Sequence, residues 1–117
     1  MGIDHSSQGI LTVDLLPEPE MGNELEKAAE IAREEADCDV VIDFSSVDII
    51  TSSNIAKILK LKKLLDGFGH QLVLCGLISA TKQIFKLAGL DQVLDFADDK
   101  SSAITAVKHA EHVKSYK

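Results

Sequence analysis

Ser52 and Ser53 are the residues of this chain best placed to do chemistry. They follow a buried-strand pattern, Asp39-Val40-Val41-Ile42-Asp43-Phe44, and open an amphipathic helix predicted over residues 52–65. At a helix N-terminus, unpaired N–H groups and the positive end of the dipole favour an anion such as phosphate. Two hydroxyls there suit a phosphorylation switch better than an active site. The plainer role for the pair is to cap the helix. Nucleophilic serine chemistry would need a histidine base in reach. None of His5, His70, His109 and His112 lies near a predicted strand C-terminus, and His70 precedes its strand, on the opposite edge from Ser52. No catalytic residue is therefore expected.

Other chemistries are poorly served. His109 and His112 are three apart on the last predicted helix, but a metal needs further ligands that the sequence does not supply. No metal site is expected. Gly67 and Gly69 follow a helix rather than a strand, so they do not form a phosphate-binding loop, and no cofactor is expected. A phospho-receiver domain would carry an acidic pair at the end of its first strand, where this chain has Asp14 followed by Leu15-Leu16-Pro17. Asp43 is expected to hydrogen-bond at a strand end.

The elements that must position the serines follow from periodicity. Residues 1–9 are polar and are expected to fray or to form a short edge strand. A strand is predicted over 10–16, stopped by Pro17-Glu18-Pro19 because proline gives no ladder donor. Asn23 with Glu26 three positions on resembles a capping box. Leu25, Ala28, Ala29 and Ala32 then share one helical face, in a helix ending near residue 36. After the buried strand at 39–44 and the helix at 52–65 come a strand at 71–77, a short helix at 79–87, a strand at 93–96 and a helix at 101–114. That last helix turns Ala103, Ile104, Val107 and Ala110 inward. Alternating strands and helices imply an α/β fold with a largely parallel sheet.

On the helix that starts at the serines, Ile55, Ile58, Leu59, Leu61 and Leu65 cluster on the side expected to face the sheet. Lys57, Lys60 and Lys63 form a stripe on the other side, with Leu64 among them. Read plainly, this is a solvated lysine face with one exposed leucine. Read functionally, Leu64 is an apolar anchor between lysines that attract an acidic partner.

Size and charge narrow the classes further. A chain of 117 residues suits one compact domain, and its 45% hydrophobic content can fill a core. The net charge of −7 argues against nucleic acid. Residues 1–50 hold 13 acidic and 2 basic side chains, a balance of −11, while residues 51–117 hold 6 acidic and 10 basic, a balance of +4. The sign changes at the serine pair. No apolar run approaches the ~18 residues of a membrane span, and no secretory signal precedes the first strand. Cys38 and Cys75 fall at opposite ends of the predicted sheet and are expected to be free thiols. The expected location is the cytoplasm.

In order and spacing, VVIDFSSVDIITSSNIAKIL, the LVLCGL strand and SATKQIFKLAGLDQVLDF resemble the STAS domain, the fold of bacterial anti-sigma factor antagonists. The resemblance runs from about Ile10 to Val107 and implies a four- to five-stranded, mostly parallel sheet with about four helices. In that family the motif reads Asp-Ser-Ser/Thr-Gly-Leu, and its first serine is phosphorylated by a partner anti-sigma factor that is also a serine kinase of the histidine-kinase-like class. Here the motif falls on Thr51, Ser52, Ser53, Asn54 and Ile55, so the resemblance implies phosphorylation at Ser52. The family's acidic residue after the first long strand falls at Glu18 or Glu20. The expected docking surface is residues 50–54 with the exposed face of the following helix, carried by Thr51, Ser52, Ser53, Asn54, Lys57, Lys60 and Leu64. Thr51 and Asn54 depart from the motif's Asp and Gly. The alternative implied by those departures is a non-phosphorylated STAS subunit of another assembly, such as a stress-signalling scaffold or a lipid-transport complex.

Overall fold

The computed structural model describes residues 3–7, 9–35 and 37–114, and the side chains at 4–7 and 109–114 lie outside what it describes. His5, His109, His112 and Ala110 are among those side chains. Nine main elements follow one another: β1 (Ile3–Ser7), β2 (Ile10–Asp14), α1 (Glu20–Glu35), β3 (Asp39–Asp43), α2 (Ser52–Gly67), β4 (Leu72–Cys75), α3 (Ser79–Leu87), β5 (Asp95–Ala97) and α4 (Lys100–Lys114). A 3₁₀ turn, Leu90–Gln92, leads into β5. The sheet order is β1-β2-β3-β4-β5, with β1 antiparallel to β2 and the other neighbours parallel. Parallel neighbours need crossovers, and the four long helices lie between or after the strands as that requires.

β3 and β4 are covered on both faces, which is why they read as unbroken apolar runs. The period of two divides their side chains between two layers. Val40, Ile42, Leu72 and Leu74 join Leu25, Ala28, Ile58, Leu61, Leu65 and Phe85 in the larger core, under α1, α2 and α3. Val41, Val73 and Cys75 turn the other way to meet Ala103 and Val107 of α4, where Ile104 is half-buried. Phe44, directly after β3, meets Phe85 edge-on at 6.3 Å, and Phe85 meets Phe96 at 5.6 Å. Both cysteines are free and buried, and burial pushes the Cys75 thiol up to about 12, so it stays unreactive.

Several boundaries differ from the periodicity reading, each for a local reason. α1 begins at Glu20, so Asn23 is an exposed residue inside the helix and not its cap. Pro17 C=O accepts from Glu20 N–H at 3.2 Å, and burial of Met21 and Gly22 extends the helix backward. β2 stops at Asp14, because Leu16 N–H is taken by Glu24 Oε1 at 2.9 Å and the chain leaves the sheet toward α1. β5 begins at Asp95, since Val93 and Leu94 N–H groups close onto Leu90 C=O. α2 continues to Gly67, and the left-handed turn falls at Gly69 (φ 75°), where His70 N–H bonds Leu65 C=O at 2.8 Å.

Candidate functional site at the start of the second long helix

Thr51, not either serine, caps α2. Its backbone is extended (φ −98°, ψ 160°), and its Oγ1 accepts from Asn54 N–H at 3.3 Å. The capping role expected of the serines is thus already filled. Ser52 and Ser53 occupy the first two helical positions, exposed, with no hydrogen bond from either hydroxyl among the described residues. Thr and Ser carry the same capping chemistry, so composition could not separate them; the backbone does.

Asn54 behaves differently from its neighbours. Only 1% of it is exposed, and its Nδ2 donates to Glu18 Oε1 across the loop between β2 and α1. Of the two acidic residues considered for that loop, Glu18 is therefore the one at the site, while Glu20 is the exposed first residue of α1. The room for Asn54 comes from Gly22 on α1. A Cβ on Gly22 would sit 3.4 Å from Asn54 Oδ1 and 2.8 Å from Lys57 Nζ, so a side chain there would crowd Asn54 and push the Lys57 ammonium aside. Nothing in the sequence near Gly22 indicates this, because the atoms that need the space come from another helix.

Lys57, Lys60 and Leu64 are brought together, but they face α1. Lys57 Nζ pairs with Glu26 at 2.8 Å, and that ammonium holds the Glu26 carboxyl below its ordinary range. With Leu25, Ala29 and Glu26, the three line a groove of about 290 Å³ between α1 and α2. Leu64 is half-buried against the core and Lys60 is exposed on the rim. Lys57 and Lys60 thus edge a helix–helix groove, while Lys63, the third lysine of the stripe, is exposed outside it.

The loop before α2 turns one of its two adjacent isoleucines inward and the other outward. Ile50 is buried with Val47, while Ile49 projects with 77% of its surface exposed. Two adjacent isoleucines look alike in sequence; only the path of the loop distinguishes them. Ile49 and Asp48 line a second cleft, about 310 Å³, with Pro17 and Glu18. The surface beside the serines is thus apolar at Ile49 and acidic at Glu18 and Asp48.

A brace holds this loop from below. Asp43 Oδ1 accepts from Ser45 N–H at 2.9 Å and from the Ser45 hydroxyl, the strand-end role expected of it. Gly76 (φ 70°) approaches the same pair from the end of β4, and a Cβ there would lie 2.6 Å from Asp43 Oδ1 and 2.7 Å from Ser45 Oγ. His70 stands at the opposite edge, with Nδ1 3.1 Å from Asp39 Oδ1, which also accepts from Gln71 N–H at 2.7 Å. Among the described residues no three His, Cys, Asp or Glu side chains converge as metal ligands. None of their helices is long and apolar enough to cross a membrane.

Comparison with known proteins agrees with this architecture. The family profile of the STAS domain matches residues 22–103, and the chain belongs to that family. No curated protein matches it significantly in sequence. A Thermotoga maritima protein described as an anti-sigma factor antagonist, TM1081, superimposes with a TM-score of 0.79 at 15% identity, covering 91% of this chain and 92% of that one. The Bacillus cell fate determinant SpoIIAA in its phosphorylated form gives 0.66 at 15% identity, over 90% and 96%. A chain of the stressosome, a signal integration and transduction hub, gives 0.70 at 17% identity, over 93% and 97%. At these identities the shared property is the fold.

Proposed function

We propose that this chain is a regulatory binding module that docks on an anti-sigma factor of the histidine-kinase-like serine kinase class and is released when Ser52 is phosphorylated. The observation that carries this reading is the division of labour at the start of α2. Thr51 holds the cap, so the Ser52 hydroxyl is exposed and unengaged at the anion-favouring end of a helix. The docking surface comprises Ile49, residues 51–53 and the adjoining groove rim at Lys60 and Leu64, with Asn54 and Lys57 holding it in place. Such a partner and such a role belong in the cytoplasm.

Magnitudes give the direction of the switch. A phosphate adds about −1.5 to −2 charges. Helix-end N–H groups hold it by ~0.3–1 kcal/mol. Pressed into an interface without a cation, it costs several kcal/mol. With ~1.4 kcal/mol per decade, the penalty lowers affinity by two or more decades, so the unmodified form binds and the modified form leaves.

A second reading is a non-phosphorylated subunit of a larger assembly, a stress-signalling scaffold or a lipid-transport complex. It draws on Thr51 and Asn54 at the motif's Asp and Gly positions, and on the likeness to a stressosome chain. Titration calorimetry against a purified anti-sigma kinase of the stated class separates the two. Ser52→Ala should bind like the natural chain and Ser52→Asp about 100-fold more weakly; equal binding by both variants would sink the switch and leave the scaffold.

A further inference from the structure

We infer that the cleft between the β2–α1 loop and the loop before α2 receives an arginine side chain of the docked partner, beside an apolar pocket of that partner that takes Ile49. This rests on the docking proposed above and names the chemistry of the surface that is met. Pro17, Glu18, Ser46, Asp48 and Ile49 line the cleft, and no basic residue is among them. Ile49 is 77% exposed between the buried Ile50 and, two residues back, the buried Val47, so the loop cannot turn it inward without unseating one of them. An apolar side chain held outward on a pinned loop gains most from a pocket that removes it from water. Neither Glu18 nor Asp48 makes an ion pair among the described residues. Glu18 is nonetheless held in place: its Oε1 accepts from the Nδ2 of Asn54, a side chain only 1% exposed. That bond leaves Oε2 for a partner. The STAS motif has glycine at this position, which could hold nothing, so the fixed carboxylate is a device of this chain.

The charges decide the occupant. Two carboxylates in one cleft, within the half of the chain (residues 1–50) whose balance is −11, call for a cation. A guanidinium suits them better than an ammonium, because its rigid fork of five donors can serve two carboxylates at once. A second copy of this chain, meeting the cleft about a two-fold axis, would set carboxylate against carboxylate. Nucleic acid and an anionic membrane surface are repelled for the same reason. What remains is a protein surface with an arginine at the rim of an apolar pocket. Neutralised by two carboxylates, that guanidinium is not free to pair with a phosphate on Ser52, so modification still releases the partner.

Titration calorimetry of the full chain with a purified anti-sigma kinase of the stated class tests this. Ile49→Ala should weaken binding at least about tenfold and Asp48→Asn roughly three- to tenfold, with unchanged circular dichroism spectra and melting temperatures. Raising salt from about 0.1 M to about 0.5 M should shrink the loss from Asp48→Asn and leave the loss from Ile49→Ala as it is. Asp91→Asn removes the same charge in the 3₁₀ turn before β5, at the opposite edge of the sheet, and should bind like the natural chain. Unchanged binding by either Ile49→Ala or Asp48→Asn overturns the inference and leaves the docking intact. An equal loss from Asp91→Asn overturns it too, since the carboxylates would then act only through net charge. Losses in Ile49→Ala and Asp48→Asn with none in Ser52→Asp would instead sink the phosphorylation switch and keep the cleft. A natural chain that fails to bind the kinase overturns both.

Discussion

Two helices start at the same edge of the sheet, and their N-termini are built in opposite ways. α2 is reached by a loop pinned at Val47 and Ile50 and braced by Asp43 and Ser45, and it is capped by the Thr51 side chain. α3 is reached by the short connection after Cys75, and its N-cap residue, Ile78, makes no side-chain capping bond. At α2 the first hydroxyls, Ser52 and Ser53, are exposed and unengaged. At α3 Ser79 is likewise exposed at the first helical position, but the other hydroxyl of the first turn, Thr81 Oγ1, is buried without a partner. A helix start becomes available for chemistry when another residue does the capping and the loop before it is held.

Gly76 links the two, since it leaves β4 toward α3 at a point where a Cβ would run into the brace under the α2 loop. Gly76→Ala imposes a left-handed backbone on an L side chain and drives its Cβ into Asp43 and Ser45. The expected loss is about 2–4 kcal/mol in denaturant unfolding, the largest effect among these changes. Thr51→Ala should cost about 0.5–2 kcal/mol by loss of the cap, while Ser52→Ala and Ser53→Ala stay within about 0.5 kcal/mol. If the serine variants lost as much as Thr51→Ala, the serines would be caps after all. Thr81→Val removes an unsatisfied buried hydroxyl at nearly constant volume. Thermal melts should show it unchanged or more stable by up to about 1 kcal/mol, where an ordinary buried hydrogen bond would make it clearly worse.

The smallest expected effect concerns the groove beside α2. Lys57 lowers the Glu26 carboxyl below the ordinary 4.5, so the pair's contribution is present above that pH and fades as pH falls through the lowered value. Both groups are solvent-accessible, which keeps the contribution small. An NMR titration should place Glu26 below 4.5 in the natural chain and move it back up toward 4.5 in Lys57→Met.

What the sequence could and could not reveal follows the range of each interaction. β3, β4 and α3 were legible because apolar runs and glycine stops are local, and α3 falls on residues 79–87 as read. The place of the serines at the start of a helix after a buried strand was legible too. Their freedom was not, because the choice of Thr51 as cap rests on one residue's dihedral angles. The lysine stripe looked free on a helical wheel, yet Glu26 lies on another helix, and a wheel has no neighbours. Gly22 and Ile49 were unreadable for related reasons: one answers to side chains far along the chain, the other to the path of a loop.

The most direct test of the central claim is the intact mass of this chain after incubation with ATP and an anti-sigma kinase shown to bind its unmodified form. The account predicts a gain of one phosphoryl group in the natural chain and in Ser53→Ala, and none in Ser52→Ala. No gain in the natural chain, or a gain that survives Ser52→Ala, would contradict it.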